Sequence, residues 1–268
     1  MKFKKNILVF GGSGLLGKCL IENYSTKRKL HIFLHKKKIQ SNKVKIANLR
    51  SYHLIENYIK KNNINTILNL AGLTSIELCQ KNKKLSKKCN YILPTKLAKL
   101  SKKNNLKYVF ISTDNFFFKT KKLNEDGKLK SVNTYSEHKR KSEKEIINVY
   151  PKSLIIRTNF YCIGNKKRKS FSDTIIDKIK SNTEIGLFKD VYYTPIYGKY
   201  LLKYIFALLN KDNHGIFNIC SDEKISKFSF GIKLCSTFKL NKKYIKGIYL
   251  KKRKDLVKRP FNMAMSNQ

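Results

Sequence analysis

The sequence predicts an α/β fold, a doubly wound parallel sheet of the Rossmann kind with a smaller C-terminal substrate lobe. Three observations predict it. Short apolar runs rich in β-branched and aromatic residues alternate with longer helical patterns, as in a parallel sheet covered on both faces. A glycine-rich turn, Gly11, Gly14 and Gly17, closes the first apolar run and opens the first helical pattern. The chain has 268 residues, 41% of them hydrophobic, which is more than the roughly 100–200 residues of most single domains and leaves room for a second lobe.

The predicted strands lie at residues 6–10, 30–34, 43–47, 66–70, 107–112 and 153–157. Each is a four-to-six-residue run of the Ile-Leu-Val-Phe type. Helices are predicted between them at 15–24, 52–61, 84–102 and 135–149, where apolar residues recur at helical spacing. Beyond Arg157 the pattern becomes irregular. A basic run at residues 166–169 precedes helix-like stretches at 171–180, 195–209 and 227–238. The expected division is a first, nucleotide-binding domain over residues 1–158 and a lobe over 159–268, with about 195–220 returning to the first domain. No internal repeat or long linker separates the two.

Composition excludes several classes. With 12 Gly, 4 Pro and 12% aromatic residues, the chain is neither collagen-like nor disordered. The formal charge of +42 suggests a nucleic-acid binder, but it comes from 52 Lys and only 7 Arg spread along the whole chain. Nucleic-acid readers favour Arg and concentrate charge on one face, so no nucleic-acid partner is expected. The six cysteines show no C-x-x-C pair and no His at metal-ligand spacing, so they read as free thiols and no metal is expected. Glycines interrupt the apolar run after Lys5 before it reaches signal-peptide form, and no run approaches the ~20 residues of a membrane span. A cytoplasmic protein without a membrane partner is expected.

Gly11, Gly14 and Gly17 form G-x-x-G-x-x-G directly between a strand and a helix. Glycines there let the backbone turn tightly and approach a pyrophosphate, which then rests on the positive end of the helix. Chance would supply such a spacing roughly 0.02 times in a chain of this composition. The loop Gly11, Ser13, Gly14, Leu15, Leu16 and Gly17 is therefore the expected phosphate cradle. Dinucleotide folds that take NAD place an acid on the adenosine ribose about 20 residues further on. Here no Asp or Glu occurs between Asn23 and Ile55, and the position reads His35-Lys36-Lys37-Lys38. Cations there suit a 2′-phosphate, so NADP is expected, with NADPH preferred over NADH.

Tyr135 and Lys139 are four residues apart on a predicted helix and so share a face. Of the 15 tyrosines, only Tyr135 has Lys four residues on. An ammonium there is expected to lower the phenol from about 10 towards working pH. The preceding strand ends in Ser112-Thr113-Asp114, at the edge where a doubly wound sheet presents ligand-contacting residues. These residues carry a hydride-transfer constellation. Thr113 polarises a carbonyl, Tyr135 delivers its proton, and Lys139 holds the cofactor ribose and tunes the phenol.

On these segments the chain resembles an extended short-chain dehydrogenase/reductase of the dTDP-4-dehydrorhamnose reductase type. The resemblance is also carried by Asn69-Leu70-Ala71-Gly72-Leu73-Thr74, Glu143, Arg157-Thr158-Asn159, Thr194-Pro195-Ile196-Tyr197, Gly215-Ile216-Phe217-Asn218 and Arg259-Pro260 with Met263. It implies NADPH-dependent reduction of a 4-keto-6-deoxy sugar carried on a nucleotide diphosphate, for cell-surface polysaccharide synthesis. It further implies that Asn48, Leu49, Asn69, Leu70, Ala71 and Gly72 line the cofactor, and that Asn90 lies in a helix facing the site. Thr74, Thr113, Asp114, Asn159 and Arg259 would then contact the substrate.

The chain departs from the family pattern at Asn115, where Tyr usually follows Ser-Thr-Asp. It departs again at Ser136, Glu137 and His138, which replace Gly and Ser between Tyr135 and Lys139, and at Asn48, where an acid is usual. Relatives also continue past the position of Gln268 through another short helix. A 4,6-dehydratase of this architecture would carry Asp-Glu after the Thr, and Asp114-Asn115 lacks the Glu. A nucleotide-sugar epimerase and a non-catalytic NADP-binding subunit stay open on sequence alone, as does a homodimer. Phe116-Phe117-Phe118, Tyr192-Tyr193 and the histidines His31, His53, His138 and His214 are read as packing or surface residues.

Overall fold

The structure is a computed structural model and describes residues 5–33, 44–47, 52–116, 123–164 and 168–267. His35, Lys36, Asn48 and Leu49, expected at the cofactor, lie outside the described residues, as do Phe117 and Phe118.

The first half runs β1 (Asn6–Phe10), α1 (Leu15–Tyr24), β2 (Lys29–Phe33), β3 (Lys45–Ala47), α2 (Tyr52–Lys61), β4 (Thr66–Asn69), α3 (Ile76–Lys81), α4 (Lys83–Lys87), a π-turn (Lys88–Ile92), α5 (Leu93–Lys103), β5 (Lys107–Ile111), α6 (Thr134–Val149) and β6 (Leu154–Arg157). The second half runs β7 (Phe160–Tyr161), α7 (Phe171–Lys180), β8 (Ile185–Phe188), β9 (Tyr192–Tyr193), β10 (Ile196–Tyr197), α8 (Gly198–Asn210), β11 (Gly215–Asn218), β12 (Ile225–Ser226), α9 (Lys227–Thr237) and β13 (Ile245–Ile248).

Seven strands form one sheet in the order β11-β6-β5-β4-β1-β2-β3, and every pairing within it is parallel. The doubly wound parallel sheet expected from the alternation of runs is thus the architecture. Its strands read as continuous apolar runs because both faces are covered. In β1, Ile7 and Val9 join Leu16 and Leu20 of α1 and Leu201, Ile205 and Phe206 of α8 on one face. Leu8 and Phe10 turn the other way, to Ile55 and Ile59 of α2, Leu97 and Ala98 of α5 and Ile146 of α6. Each such side chain contributes about 1.5–3 kcal/mol when fully buried, so packing rather than helix propensity holds these helices.

The helix expected over 84–102 runs without a break from Lys83 to Lys103, with a π-turn inserted in it. Asn82 caps α4 through its side chain, Pro94 opens α5, and a π-turn joins them. A π-turn inserts an extra residue into the helical ladder and re-aims the side chains within it. The predicted helix at 195–209 begins only at Gly198, because Ile196 and Tyr197 pair with Phe160 and Tyr161 as strand. Helix α3 was not anticipated.

Chain order 3-2-1-4-5-6 across the sheet reverses between β1 and β4, which opens a crevice at the strands' C-terminal ends. A third apolar cluster gathers Ile175 and Ile179 of α7, Leu187 of β8, Phe230 and Cys235 of α9, Ile245 of β13 and Met263. Meanwhile α8 and β11 return to the sheet, β11 pairing with β6. Among the described residues no helix is long and apolar enough to cross a membrane. Phe116 is fully buried against Leu123, Cys220 and Met265, as its packing reading expected.

Candidate active site

The glycine turn is dictated by sterics. Gly11 has φ +82, and a Cβ there would stand 2.5 Å from the Ala71 nitrogen. A Cβ on Gly17 would meet the Gly12 carbonyl oxygen at 2.3 Å. The turn is therefore pressed onto the backbone that leaves β4, and only glycine fits. Around Gly14 the space is open apart from the Gly11 oxygen at 3.1 Å. Gly14 is also the N-cap of α1, which has no side-chain cap and no acid in its first turn, so its leading N–H groups face outward. Ser13 is exposed beside them, while Leu16 is buried beneath and Leu15 packs against the same cluster. Lys18 donates to the carbonyls of Gly164 at 2.6 Å and Ile163 at 3.3 Å, tying α1 to the segment beyond β7.

Across the crevice, β4 ends in Asn69, whose Oδ1 accepts the Ala71 N–H at 3.1 Å and whose Nδ2 donates to the Tyr108 hydroxyl at 3.1 Å. Leu70, Ala71 and Gly72 follow, partly exposed. The loop is held from the far side by Asn90. Its Oδ1 accepts the Leu73 N–H and its Nδ2 donates to the Leu73 carbonyl, both at 2.9 Å. Asn90 is fully buried and sits in the π-turn, so the irregular turn is what aims this amide at the loop.

Strand β5 delivers Ser112, Thr113 and Asp114, and the start of α6 delivers Tyr135, all buried. Asn133 sets the register of α6: its Oδ1 accepts the Ser136 N–H at 2.9 Å, and Ser136 Oγ accepts the Asn133 N–H at 3.3 Å, a reciprocal capping box. Ser136, a departure from the family pattern, is thus the residue that fixes where Tyr135 begins its turn. The Thr113 hydroxyl accepts the Asn115 N–H at 3.1 Å and acts on the nearby Tyr135 phenol. Lys139, one turn on, donates to the Ile111 carbonyl at 2.8 Å and stands 4.4 Å from the Phe110 ring centre. Its ammonium lies 3.6 Å from where a Cβ on Gly72 would be, which joins the α6 strip to the β4 loop.

Electrostatics here correct one expectation. Burial raises the Tyr135 phenol well above its ordinary value, opposed by the Thr113 hydrogen bond and assisted by the nearby Asp114 carboxyl. The lowering expected from Lys139 does not appear among the causes; desolvation dominates, and the ammonium is engaged with the Ile111 carbonyl. Burial likewise lowers Lys139 to about 8, with Glu143 pulling the other way. Asp114 is raised to about 6 by burial, against the pull of Lys227 and a 2.7 Å hydrogen bond donated by Asn159 Nδ2.

Behind the strip, Arg157 of β6 and Glu143 of α6 form a buried ion pair at 2.9 Å. Ser112 donates to the same carboxylate, and Arg157 Nη1 donates to the Glu125 carbonyl at 2.9 Å. Strands β5 and β6 and helix α6 are thereby locked to one another directly behind Thr113.

The structure brings together Thr113, Tyr135, Lys139, Asp114 and Asn159, and places Asn69 to Gly72 and the glycine turn across the crevice from them. Thr74 is exposed on the loop beyond Gly72. Arg259 does not enter the strip: it pairs with Glu77 of α3 and donates to the Val257 carbonyl. A cavity of about 520 Å³ lies against the N-terminus of α6, lined by Gln80, Asn133, Thr134, Glu137, Val257 and Lys258. Sequence reasoning missed Lys227, whose charge acts on Asp114 from α9. One lysine among 52 carries no signal of its own.

The chain is 23% identical over 192 residues to the probable low-salt glycan biosynthesis reductase Agl14 of Haloferax volcanii; the match takes in 69% of this chain and spans 62% of that protein's length. Its fold is similar to that of a dTDP-4-dehydrorhamnose reductase from Bacillus anthracis in complex with NADP, with a TM-score of 0.86 at 21% identity over 99% of this chain and 92% of the other. It is also similar to a hypothetical dTDP-4-dehydrorhamnose reductase from Sulfolobus tokodaii, with a TM-score of 0.82 at 25% identity over 97% and 91%. A family model, the RmlD substrate binding domain, matches residues 5–268 and so takes in the glycine turn, the Thr113–Tyr135–Lys139 strip and the third cluster alike; the chain belongs to that family.

Proposed function

We propose that the chain is an NADPH-dependent reductase of a nucleotide-diphosphate-linked 4-keto-6-deoxy sugar, serving cell-surface polysaccharide synthesis. On this reading residues 1–158 hold the cofactor and 159–268 mainly the substrate, with about 195–220 returning to the first part. The observation that carries it is the buried set of Thr113, Tyr135 and Lys139 at the C-terminal edge of a parallel sheet, across from an uncapped glycine turn.

The residues fit a dinucleotide. The open face of Gly14 and the outward N–H groups of α1 suit a pyrophosphate. Asn69, Leu70, Ala71 and Gly72 form the opposite wall, and the Lys139 ammonium beneath Gly72 is placed for a ribose. A bound nicotinamide would supply the hydride. The chain's own residues supply the rest. Because burial raises its pKa, the Tyr135 phenol stays protonated at neutral pH and is a loaded acid for a substrate oxygen. Thr113 adds a second hydroxyl against the same oxygen. Lys139, lowered only to about 8, is still mostly charged at pH 7 and stabilises the phenolate left behind. Asn69 and Asn90 keep the β4 loop from collapsing onto the strip.

The test follows absorbance at 340 nm with NADPH and NADH against dTDP-, CDP- and GDP-linked 4-keto-6-deoxy sugars, beside Tyr135→Phe. The expected result is stoichiometric NADPH consumption by the native protein and a loss of about 10²- to 10⁴-fold in the variant. Equal activity in both would overturn the assignment. A nucleotide retained through turnover without net absorbance change would indicate an epimerase, and NADPH binding without turnover a non-catalytic subunit.

A further inference from the structure

Lys227 is placed with unusual firmness for a lysine. It opens α9, whose N-cap Ser226 accepts the Ser229 N–H at 2.9 Å. The two preceding residues form β12, which pairs antiparallel with β9, and the Lys227 N–H donates to the Val191 carbonyl at 3.0 Å. The side chain then runs inward. Its ammonium stands 3.3 Å from the Tyr193 ring centre and 5.1 Å from that of Phe171.

The ammonium forms none of the ion pairs found among the described residues. Asp114 is the carboxylate whose field it feels, and each of the two shifts the other. Close by, the Tyr193 hydroxyl is buried with no hydrogen-bond partner. Asp114 adds to the burial that raises that phenol. A desolvated ammonium and an orphaned hydroxyl are both costly unless something polar joins them.

We propose that Lys227 is a specificity-determining residue whose ammonium, together with the Asp114 carboxylate and the Asn159 amide, grips hydroxyl groups of the sugar ring; this rests on the reductase reading above. Three points give the ligand its chemistry. Asp114 follows Thr113 directly, its charge acts on the Tyr135 phenol and Asn159 donates to it at 2.7 Å, so the cluster borders the phenol that would protonate the substrate. It offers donors at Lys227 and Asn159 and an acceptor at Asp114, the set that a vicinal diol satisfies. Its opposite charges also offset each other, so an anionic group would gain from Lys227 only while meeting Asp114.

The test measures, for native protein, Lys227→Met and Lys227→Arg, the KM and kcat for whichever dTDP-, CDP- or GDP-linked keto sugar the native protein reduces. Alongside it stands the Kd of the bare nucleoside diphosphate. Lys227→Met should raise KM about tenfold or more, with kcat changed less than threefold, the diphosphate Kd within twofold and the melting temperature unchanged. Lys227→Arg should recover part of the loss. An unchanged KM in Lys227→Met overturns the proposal. So does an equal loss for the bare diphosphate, which would put the ammonium on phosphate instead. If the native protein reduces none of the sugars, the reductase reading falls and this proposal with it, an outcome distinct from failure of Lys227 alone.

Discussion

Replacing Arg157 with Ala removes the buried guanidinium that holds Glu143. Four charge-assisted hydrogen bonds go at once: Nε to both Glu143 oxygens at 3.2 Å, Nη2 to Oε2 at 2.9 Å, and Nη1 to the Glu125 carbonyl at 2.9 Å. Glu143 is 3% exposed and keeps only the Ser112 hydroxyl. Breaking one partner of a buried pair costs about 3–5 kcal/mol, because the remaining charge is left without compensation. In a chain of this length each kcal/mol shifts the melting temperature by about 2–4 °C, so Arg157→Ala should melt about 6–20 °C below the native protein. Circular dichroism during heating and urea unfolding reads this directly. The double variant Arg157→Met/Glu143→Leu should regain most of the loss, since no charge then stays buried. A loss under about 1 kcal/mol in Arg157→Ala, or a double variant as unstable as the two single changes added together, would refute the reasoning.

Two other outcomes are expected. Gly11→Ala should lose more than about 1 kcal/mol in urea unfolding, because the added Cβ meets the Ala71 nitrogen at 2.5 Å and φ +82 is unfavourable for alanine; native-like stability would mean the turn is not pressed onto β4. Asp114 gives a pH signature. Its folded pKa of about 6 lies above the ordinary 3.8 of an aspartate, so the folded state holds the proton more tightly than the unfolded one. Its contribution therefore becomes less favourable as pH rises from about 4 to about 6. Asp114→Asn removes that slope, and its stability relative to native protein should increase by up to about 3 kcal/mol between pH 4 and pH 7. Urea unfolding at the two pH values checks it, and a pH-independent difference would show that the carboxyl is not desolvated.

Much of the architecture was legible in the residues. The six predicted strand runs coincide with β1 to β6 to within about two residues, because a strand buried on both faces must be apolar throughout and short. The glycine turn was legible because its three glycines fall within seven residues, although the clash that excludes a side chain at Gly11 comes from Ala71, far along the chain. Tyr135 and Lys139 were legible as a pair because four residues make one helical turn. The helix expected over 84–102 is present, but the π-turn inside it was not legible, because it depends on what Asn90 reaches across the crevice and periodicity within the segment carries no trace of that. Arg259, expected at the substrate, pairs with Glu77, 182 residues away in sequence, a contact that no local pattern reveals.

The sequence by itself determined the layers of the sheet, the glycine turn between β1 and α1, and the identities of the hydroxyl, phenol and ammonium. These follow from sterics and burial periodicity, which operate over a handful of neighbouring residues. Only the tertiary structure decided that the Tyr135 phenol is raised rather than lowered, that Asn90 braces the β4 loop, and that the Lys227 charge acts on Asp114. Desolvation and Coulomb forces depend on distances between segments far apart in the chain, and those distances exist only once the chain is folded.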